Sequence, residues 1–307
     1  MSIPNEQIPA ASGQGQDYSK GFAGAPVNAA LESDPNNPPW DIPLSIGLWA
    51  LSVVLIVVVP VIVVMPYIMT RYWGDQNAMQ AATQDQTFIF LSVISFIPVH
   101  LLTLGAAWAL VTKWGKLPFW RTLQWSWEKK AGGIGFGWMA LGCAGLAAGL
   151  YVLGALFVKW FGGGATDIDI LVKSSLATRL TLAVVAATTA PLVEEILYRG
   201  ILYPAMHRKL GMFWAVAMVS FLFAFVHVFQ YRNNLSVIAV ITTLSVTLTL
   251  VRAHTGRLLP CFLIHFFFNG VQSVLIVLQP YVPQLQEDAQ QQKALMLPVR
   301  QLFYALF

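Results

Sequence analysis

Glu194, Glu195 and Arg199 lie in the run Ala190-Pro191-Leu192-Val193-Glu194-Glu195-Ile196-Leu197-Tyr198-Arg199-Gly200, inside a long apolar stretch. Further on, His227 follows Phe223 by four residues, and Asn269 follows His265 by four. Carboxylates, histidines and amides are the groups that move protons and stabilise developing charge. Adjacent helical residues project about 100° apart, so Glu194 and Glu195 cannot face one cavity equally. Glu195 and Arg199 are spaced as i and i+4 with the acid first, the favoured order for an ion pair. That pairing neutralises and orients Glu195 and leaves Glu194 as the titratable carboxylate facing the cavity. His265 and Asn269 share one helix face, two donors that suit a developing oxyanion. His227 could share the activation of water with Glu194. The chemistry in view is hydrolysis.

A metal alternative uses the same residues. Glu194, His227 and His265 match the His2Glu composition of a catalytic Zn2+ site with water in the fourth position. No HExxH is present, and neutral His with Asn serves an oxyanion as readily, so no cofactor is expected and Zn2+ stays the alternative. Serine chemistry is disfavoured, because there is no GxSxG and Ser12-Gly13 falls in the polar amino-terminal stretch.

These groups have to be carried at membrane depth. Of 307 residues, 57% are hydrophobic and 10% charged, against roughly 25% charged in a soluble domain. The predicted fold class is all-α, a polytopic membrane helix bundle. About seven spans are expected, over 44–69, 87–112, 132–160, 177–206, 212–229, 235–251 and 259–278, with the active site in the last four. A charged side chain at the bilayer centre costs about 2.5–3.5 kcal/mol on insertion scales and more by other estimates. Alone, each polar cluster has a plain explanation: an internal ion pair, a packed histidine, an interhelical amide bond. Together they ask three separate spans to carry such a cost, which favours a joint use. Pro191 is predicted to free the Ala187 carbonyl and kink its helix. At about 1.5 Å per residue from the cytoplasmic ends, Glu194 lies roughly 18 Å deep, His227 about 22 Å and His265 about 10 Å. That scatter is wider than a catalytic site tolerates, so spacing alone does not bring the clusters together.

The remaining chain supplies context. Residues 1–43, rich in Pro, Gly, Asn, Gln and Ala, read as a disordered arm without the basic and apolar order of a signal peptide. Residues 113–131 interleave Trp120, Trp125 and Trp127 with five cations, as a short helix in the headgroup layer would. Gly162-Gly163-Gly164 with Asp167 and Asp169 read as a loop, and 280–307 as a tail. His100, next to Pro98 in the second span, reads as a packed, hydrogen-bonded histidine before a ligand. Cys143 and Cys261 read as small buried hydrophobes. The cation-rich connections 113–131, 207–211 and 252–257 alternate along the chain. The positive-inside rule then sets the N-terminus in the cytoplasm and, with seven spans, the C-terminus outside. Scattered cations exclude a nucleic-acid face. A proton-coupled carrier would use similar buried groups, but it usually shows internal repeats, and none is evident. A non-catalytic membrane scaffold or immunity protein is the other alternative.

With Glu194-Glu195-Ile196-Leu197-Tyr198-Arg199 as EExxxR, Phe223 to His227 as FxxxH and His265 to Asn269 as HxxxN, the chain resembles the CAAX prenyl-protease type 2 and bacteriocin-processing (CPBP, Abi) family of intramembrane endopeptidases. The resemblance covers about residues 175–279. It implies an all-helical membrane fold that cleaves a peptide bond in a membrane-embedded or lipidated substrate, within or beside the lipid bilayer. It implies Glu194 and His227 as activators of water, His265 and Asn269 as the oxyanion site, and Glu195 and Arg199 as their support. Tyr198 stands where the family often has Phe. The eukaryotic branch trims prenylated CAAX proteins, while bacterial members are associated with peptide maturation or immunity, so the substrate does not follow.

Overall fold

The computed structural model describes residues 37–127, 133–162, 171, 173–231 and 234–281. The helices are α1 (Ile42–Arg71), α2 (Ala78–Ala82), α3 (Gln86–Ile94), α4 (Phe96–Thr112), α5 (Phe119–Thr122), α6 (Phe136–Phe161), α7 (Leu176–Val184), α8 (Ala190–Glu195), α9 (Tyr203–Tyr231), α10 (Leu235–Thr255) and α11 (Leu259–Leu278). Two π-helical segments, Val185–Thr189 and Ile196–Leu202, sit on either side of α8. Among the described residues there is no strand.

Helix starts follow their capping chemistry. Asp41 accepts from the Leu44 N–H ahead of Pro43, Ser175 from that of Thr178, and Asn234 from that of Val237. Among the described residues, six runs are long and apolar enough to cross a membrane: Ile42–Arg71, Gln86–Thr112, Phe136–Phe161, Leu176–Val228, Leu235–Thr255 and Leu259–Leu278. The protein is a polytopic helical bundle. Along α1, Val54, Val57, Val61 and Ile62 are exposed, as lipid-facing side chains are.

The expected fourth and fifth spans, 177–206 and 212–229, lie in one 53-residue run, Leu176–Val228. Unbroken, at 1.5 Å per residue, it would measure about 80 Å, more than twice a ~30 Å hydrocarbon core. It breaks at Gly211, where φ is +78° and ψ 171°, a backbone that glycine adopts without steric cost.

Arg252, expected in a basic turn, instead belongs to α10 and is only 3% exposed. Within the expected amino-terminal arm, Trp40 is buried and donates its indole N–H to the Ile201 carbonyl at 3.0 Å. Arg208 donates to the carbonyls of Pro38 and Trp40 at 2.7 and 2.9 Å. The remaining arm expectation (1–36), the loop carrying Gly163, Gly164, Asp167 and Asp169, and the tail from residue 282 lie outside the described residues. In the basic connection only α5 is helical among the described residues. Trp114 before it and Trp120 within it are exposed, and Leu123 just after it is buried beside Gly200.

Two apolar clusters surround the polar groups. One packs Ile196, Leu197, Ile201 and Leu202 against Leu123, Phe223 and Leu258. The other joins α6, α10 and α11 through Cys143, Ala147, Leu150, Leu244, Leu248, Ile264 and Phe268. Cys143 and Cys261 are both free and buried.

Candidate active site

The polar centre begins with Arg199, which is fully buried. Its Nη1 donates to Glu195 Oε1 at 2.8 Å, and both side chains have no exposed surface. Nη2 donates to the Ser245 hydroxyl at 2.7 Å and the Ser245 carbonyl at 3.0 Å. Nε donates to the Thr249 hydroxyl at 3.3 Å, and the guanidinium carbon lies 4.8 Å from the Phe223 ring centre. A buried guanidinium is tolerated when its fork is filled in this way.

Glu195 passes the contact on. Its Oε1 also accepts from His265 Nδ1 at 2.8 Å. Oε2 of Glu195 is buried with no protein donor among the described residues, which leaves an open acceptor at the centre. The other ring nitrogen of His265, Nε2, lies 3.6 Å from Glu194 Oε2. Glu194 differs from its neighbour in keeping 28% of its side chain exposed. The four residues therefore form the chain Arg199, Glu195, His265, Glu194, in which His265 stands between two carboxylates. The roughly 100° between neighbouring helical residues puts Glu195 inside the bundle and Glu194 at its accessible edge.

His227 and Asn269 are engaged differently. His227 Nδ1 lies 2.7 Å from the Phe223 carbonyl oxygen, which can only accept, so this nitrogen carries a proton, and in the neutral ring Nε2 keeps its lone pair. The Phe223 ring lies 4.9 Å from that of His227 and 6.1 Å from that of His265. Among the described residues, no hydrogen bond or ion pair joins His227 to Glu194; the partner of Glu194 is His265. Asn269 donates Nδ2–H to the Ala186 carbonyl at 2.9 Å, so one of its two amide protons is spent within the protein.

Nδ1 of both His227 and His265 faces a protein acceptor, which leaves Nε2 of each ring as the nitrogen turned toward a ligand. Among the described residues no group of three or more His, Cys, Asp or Glu is gathered closely enough to hold a metal ion.

Several residues of this centre do not stand out in the sequence. Ser245, Thr249 and Arg252 line one buried face of α10 at i, i+4 and i+7. That spacing is readable, but Ser and Thr are unremarkable in spans because they can bond their own preceding turn, as Thr249 does to the Ser245 carbonyl at 2.7 Å. His100, expected to be a packed histidine, lies with Nδ1 2.9 Å from Thr189 Oγ1 in the first π segment.

Fold and site together define a class: a polytopic helical membrane protein with paired glutamates, an arginine and a histidine joined inside the bundle. The family model described as type II CAAX prenyl endopeptidase, Rce1-like, matches residues 176–271. Over that stretch, about a third of its length, the chain is similar to the Rce1-like family. Comparisons with curated proteins and with solved structures gave no match. The match supports, in general terms, CAAX-type intramembrane protease activity on a protein or peptide substrate. The chain is an integral, multi-pass membrane protein.

Proposed function

We propose that this chain hydrolyses a peptide bond in a membrane-embedded or lipidated protein, with Glu194 as the base that activates water. The observation carrying this reading is the contact chain from Arg199 through Glu195 and His265 to Glu194, in which only Glu194 has substantial exposure. Arg199 and Glu195 compensate each other's charge, and Glu195 fixes the His265 ring through Nδ1.

In this reading a water beside Glu194 gives the carboxylate a proton while its oxygen adds to the scissile carbonyl carbon. The carbonyl oxygen becomes an oxyanion. The C–N bond then breaks, and the proton passes from Glu194 to the leaving amine, so the enzyme ends as it began. The free Nε2 lone pair of His227 makes it a second acceptor for the water proton. His265 Nε2 and the second amide proton of Asn269 serve the oxyanion. For Nε2 to donate while Nδ1–H remains on Glu195, the His265 ring holds both protons at that step. No step is routed through a metal. The basic connections set the N-terminus on the cytoplasmic side, and substrates carrying a prenylated CAAX terminus are the first to try.

The test is cleavage of a panel of transmembrane and lipidated peptides, farnesylated CAAX peptides included, by wild type, Glu194→Gln and His227→Ala. Loss in both variants is expected, with activity kept in strong chelator. Unchanged cleavage in both variants overturns the assignment. Loss in chelator restored by Zn2+ replaces it with the metal form.

A further inference from the structure

The two π segments share one construction. In a π turn each N–H reaches back five residues. The Ala190 N–H donates to the Val185 carbonyl, and the Tyr203 N–H to the Tyr198 carbonyl. The next residue after each donor is a proline, Pro191 and Pro204, both buried. Proline has no N–H. The carbonyls that this register assigns to them, Ala186 and Arg199, are therefore left without a backbone donor. Buried carbonyls are rarely left so. In both places a side chain from another helix supplies the bond: Asn269 Nδ2 donates to the Ala186 carbonyl at 2.9 Å, and Arg252 Nε donates to the Arg199 carbonyl at 3.0 Å.

Arg252 is otherwise hard to account for. It is 3% exposed, and among the described residues it has no salt bridge to a carboxylate. Its Nη1 donates to the Gly256 carbonyl where α10 ends. Its Nε bond to Arg199 reaches the backbone of the very residue that pairs with Glu195.

The geometry matters because a π turn adds one residue to a helix and rotates the downstream residues by about 100°. The first π segment thus sets where Glu194 and Glu195 point relative to α7, and the second sets where Arg199 and Gly200 leave α8. We propose that Arg252 and Asn269 are positioning residues matched to Pro204 and Pro191, each supplying the donor its proline withholds and so holding the register that presents the glutamates to His265. For Asn269 this role is carried by one amide proton and leaves the other for the oxyanion. In the test of this pairing, the activity arm rests on the proposed function and the stability arm does not.

The pairing predicts matched rescue. In the full-length protein, Arg252→Ala strands the Arg199 carbonyl, and Pro204→Ala returns a backbone N–H to it. Asn269→Ala and Pro191→Ala form the corresponding pair. Thermal unfolding in detergent is measured for the single variants, the two matched doubles and the two mismatched doubles, alongside cleavage of a farnesylated CAAX peptide. Arg252→Ala is expected to lower the melting temperature by several degrees and kcat by about tenfold or more, with KM little changed. Pro204→Ala should restore most of both losses, and Pro191→Ala neither. For Asn269→Ala, Pro191→Ala should recover the melting temperature but not all of the rate. If a single variant does not fold, the same matrix is read as yield of monodisperse protein. A matched proline change that rescues no better than the mismatched one overturns the proposal, as does an Arg252→Ala protein with wild-type melting and rate. A Glu194→Gln protein that cleaves like wild type removes the functional reading instead and leaves the melting matrix to decide the pairing.

Discussion

Glu194 and Glu195 adjoin in sequence and differ in burden. Glu195 is fully buried between Arg199 and His265, whereas Glu194 is 28% exposed and lies 3.6 Å from His265. The two conservative amides should therefore fail in different ways. Glu195→Gln leaves the Arg199 guanidinium buried without its counter-ion, and breaking a buried pair from one side costs about 3–5 kcal/mol. It should appear first as a lower melting temperature in detergent. Glu194→Gln strands no buried charge, so it should melt like wild type while losing about 10²–10⁴-fold in cleavage rate. Melting and cleavage measured on the same preparations separate the two, and an equally unstable Glu194→Gln would contradict the division. Arg199→Lys tests the fork. A lysine can still face Glu195, but it cannot also reach the Ser245 and Thr249 hydroxyls in the plane that guanidinium allows. Melting between that of wild type and Arg199→Ala is the expected result.

At the scale of elements, the second π segment is wedged as well as bonded. A Cβ on Gly200 would stand 3.0 Å from Leu123 Cδ2 and 3.3 Å from Leu258 Cδ2. Ala gains roughly 0.5–1 kcal/mol over Gly in a helix, while overpacking a filled core costs about 1–3 kcal/mol. Leu123 and Leu258 are both fully buried, so each methyl can give only by pushing on packed neighbours, and the clash should win. Gly200→Ala is thus expected to melt below wild type, and adding Leu123→Ala to it should cost less than Leu123→Ala costs alone. Equal penalties in both backgrounds would show that the wedge is not at Gly200. The same segment marks what the sequence conceals. Glu194, Glu195, Arg199, His227, His265 and Asn269 stand out because a charge or amide in an apolar run is rare, and the i+4 pairing of Glu195 with Arg199 follows from helix geometry. The π turns leave only their prolines as a trace. Pro191 reads as a kink that frees Ala187, yet the register shift moves the unfilled carbonyl to Ala186. Gly211, expected in the connection 207–211, is where the helical run breaks.

Across the whole molecule, the bundle is tied at the end opposite the Trp40 and Arg208 contacts by Asp85, the N-cap of α3. Its carboxylate accepts from the Tyr67 and Tyr72 hydroxyls at 2.9 and 2.7 Å and from the N–H groups of Thr87 and Phe88 at 2.7 and 3.2 Å. These bonds join the end of α1 to the start of α3. The next residue, Gln86, accepts from the Ser175 N–H at 2.8 Å and so reaches the start of α7, the helix that leads to the first π segment. The Tyr72 hydroxyl above all, with the Tyr67 hydroxyl and the two backbone N–H groups, holds the Asp85 carboxyl down at about 2 from an ordinary 3.8, against a smaller opposing effect of burial. A depressed carboxyl stabilises the fold fully above its unfolded pKa and loses that contribution as pH falls through the folded one. Wild type should therefore keep the Asp85 contribution at pH 6 and shed it between about pH 4 and pH 2. Asp85→Asn should melt lower than wild type at pH 6 by more than it does at the acid end of that window, so the two curves approach each other as acid is added. Melting temperatures of both proteins across that range in one detergent decide it: curves that stay parallel exclude Asp85 as the titrating tie. Because the clamp lies outside the Arg199 to Glu194 chain, cleavage per folded molecule at neutral pH should not change in Asp85→Asn, which separates a loss of holding strength from a loss of chemistry.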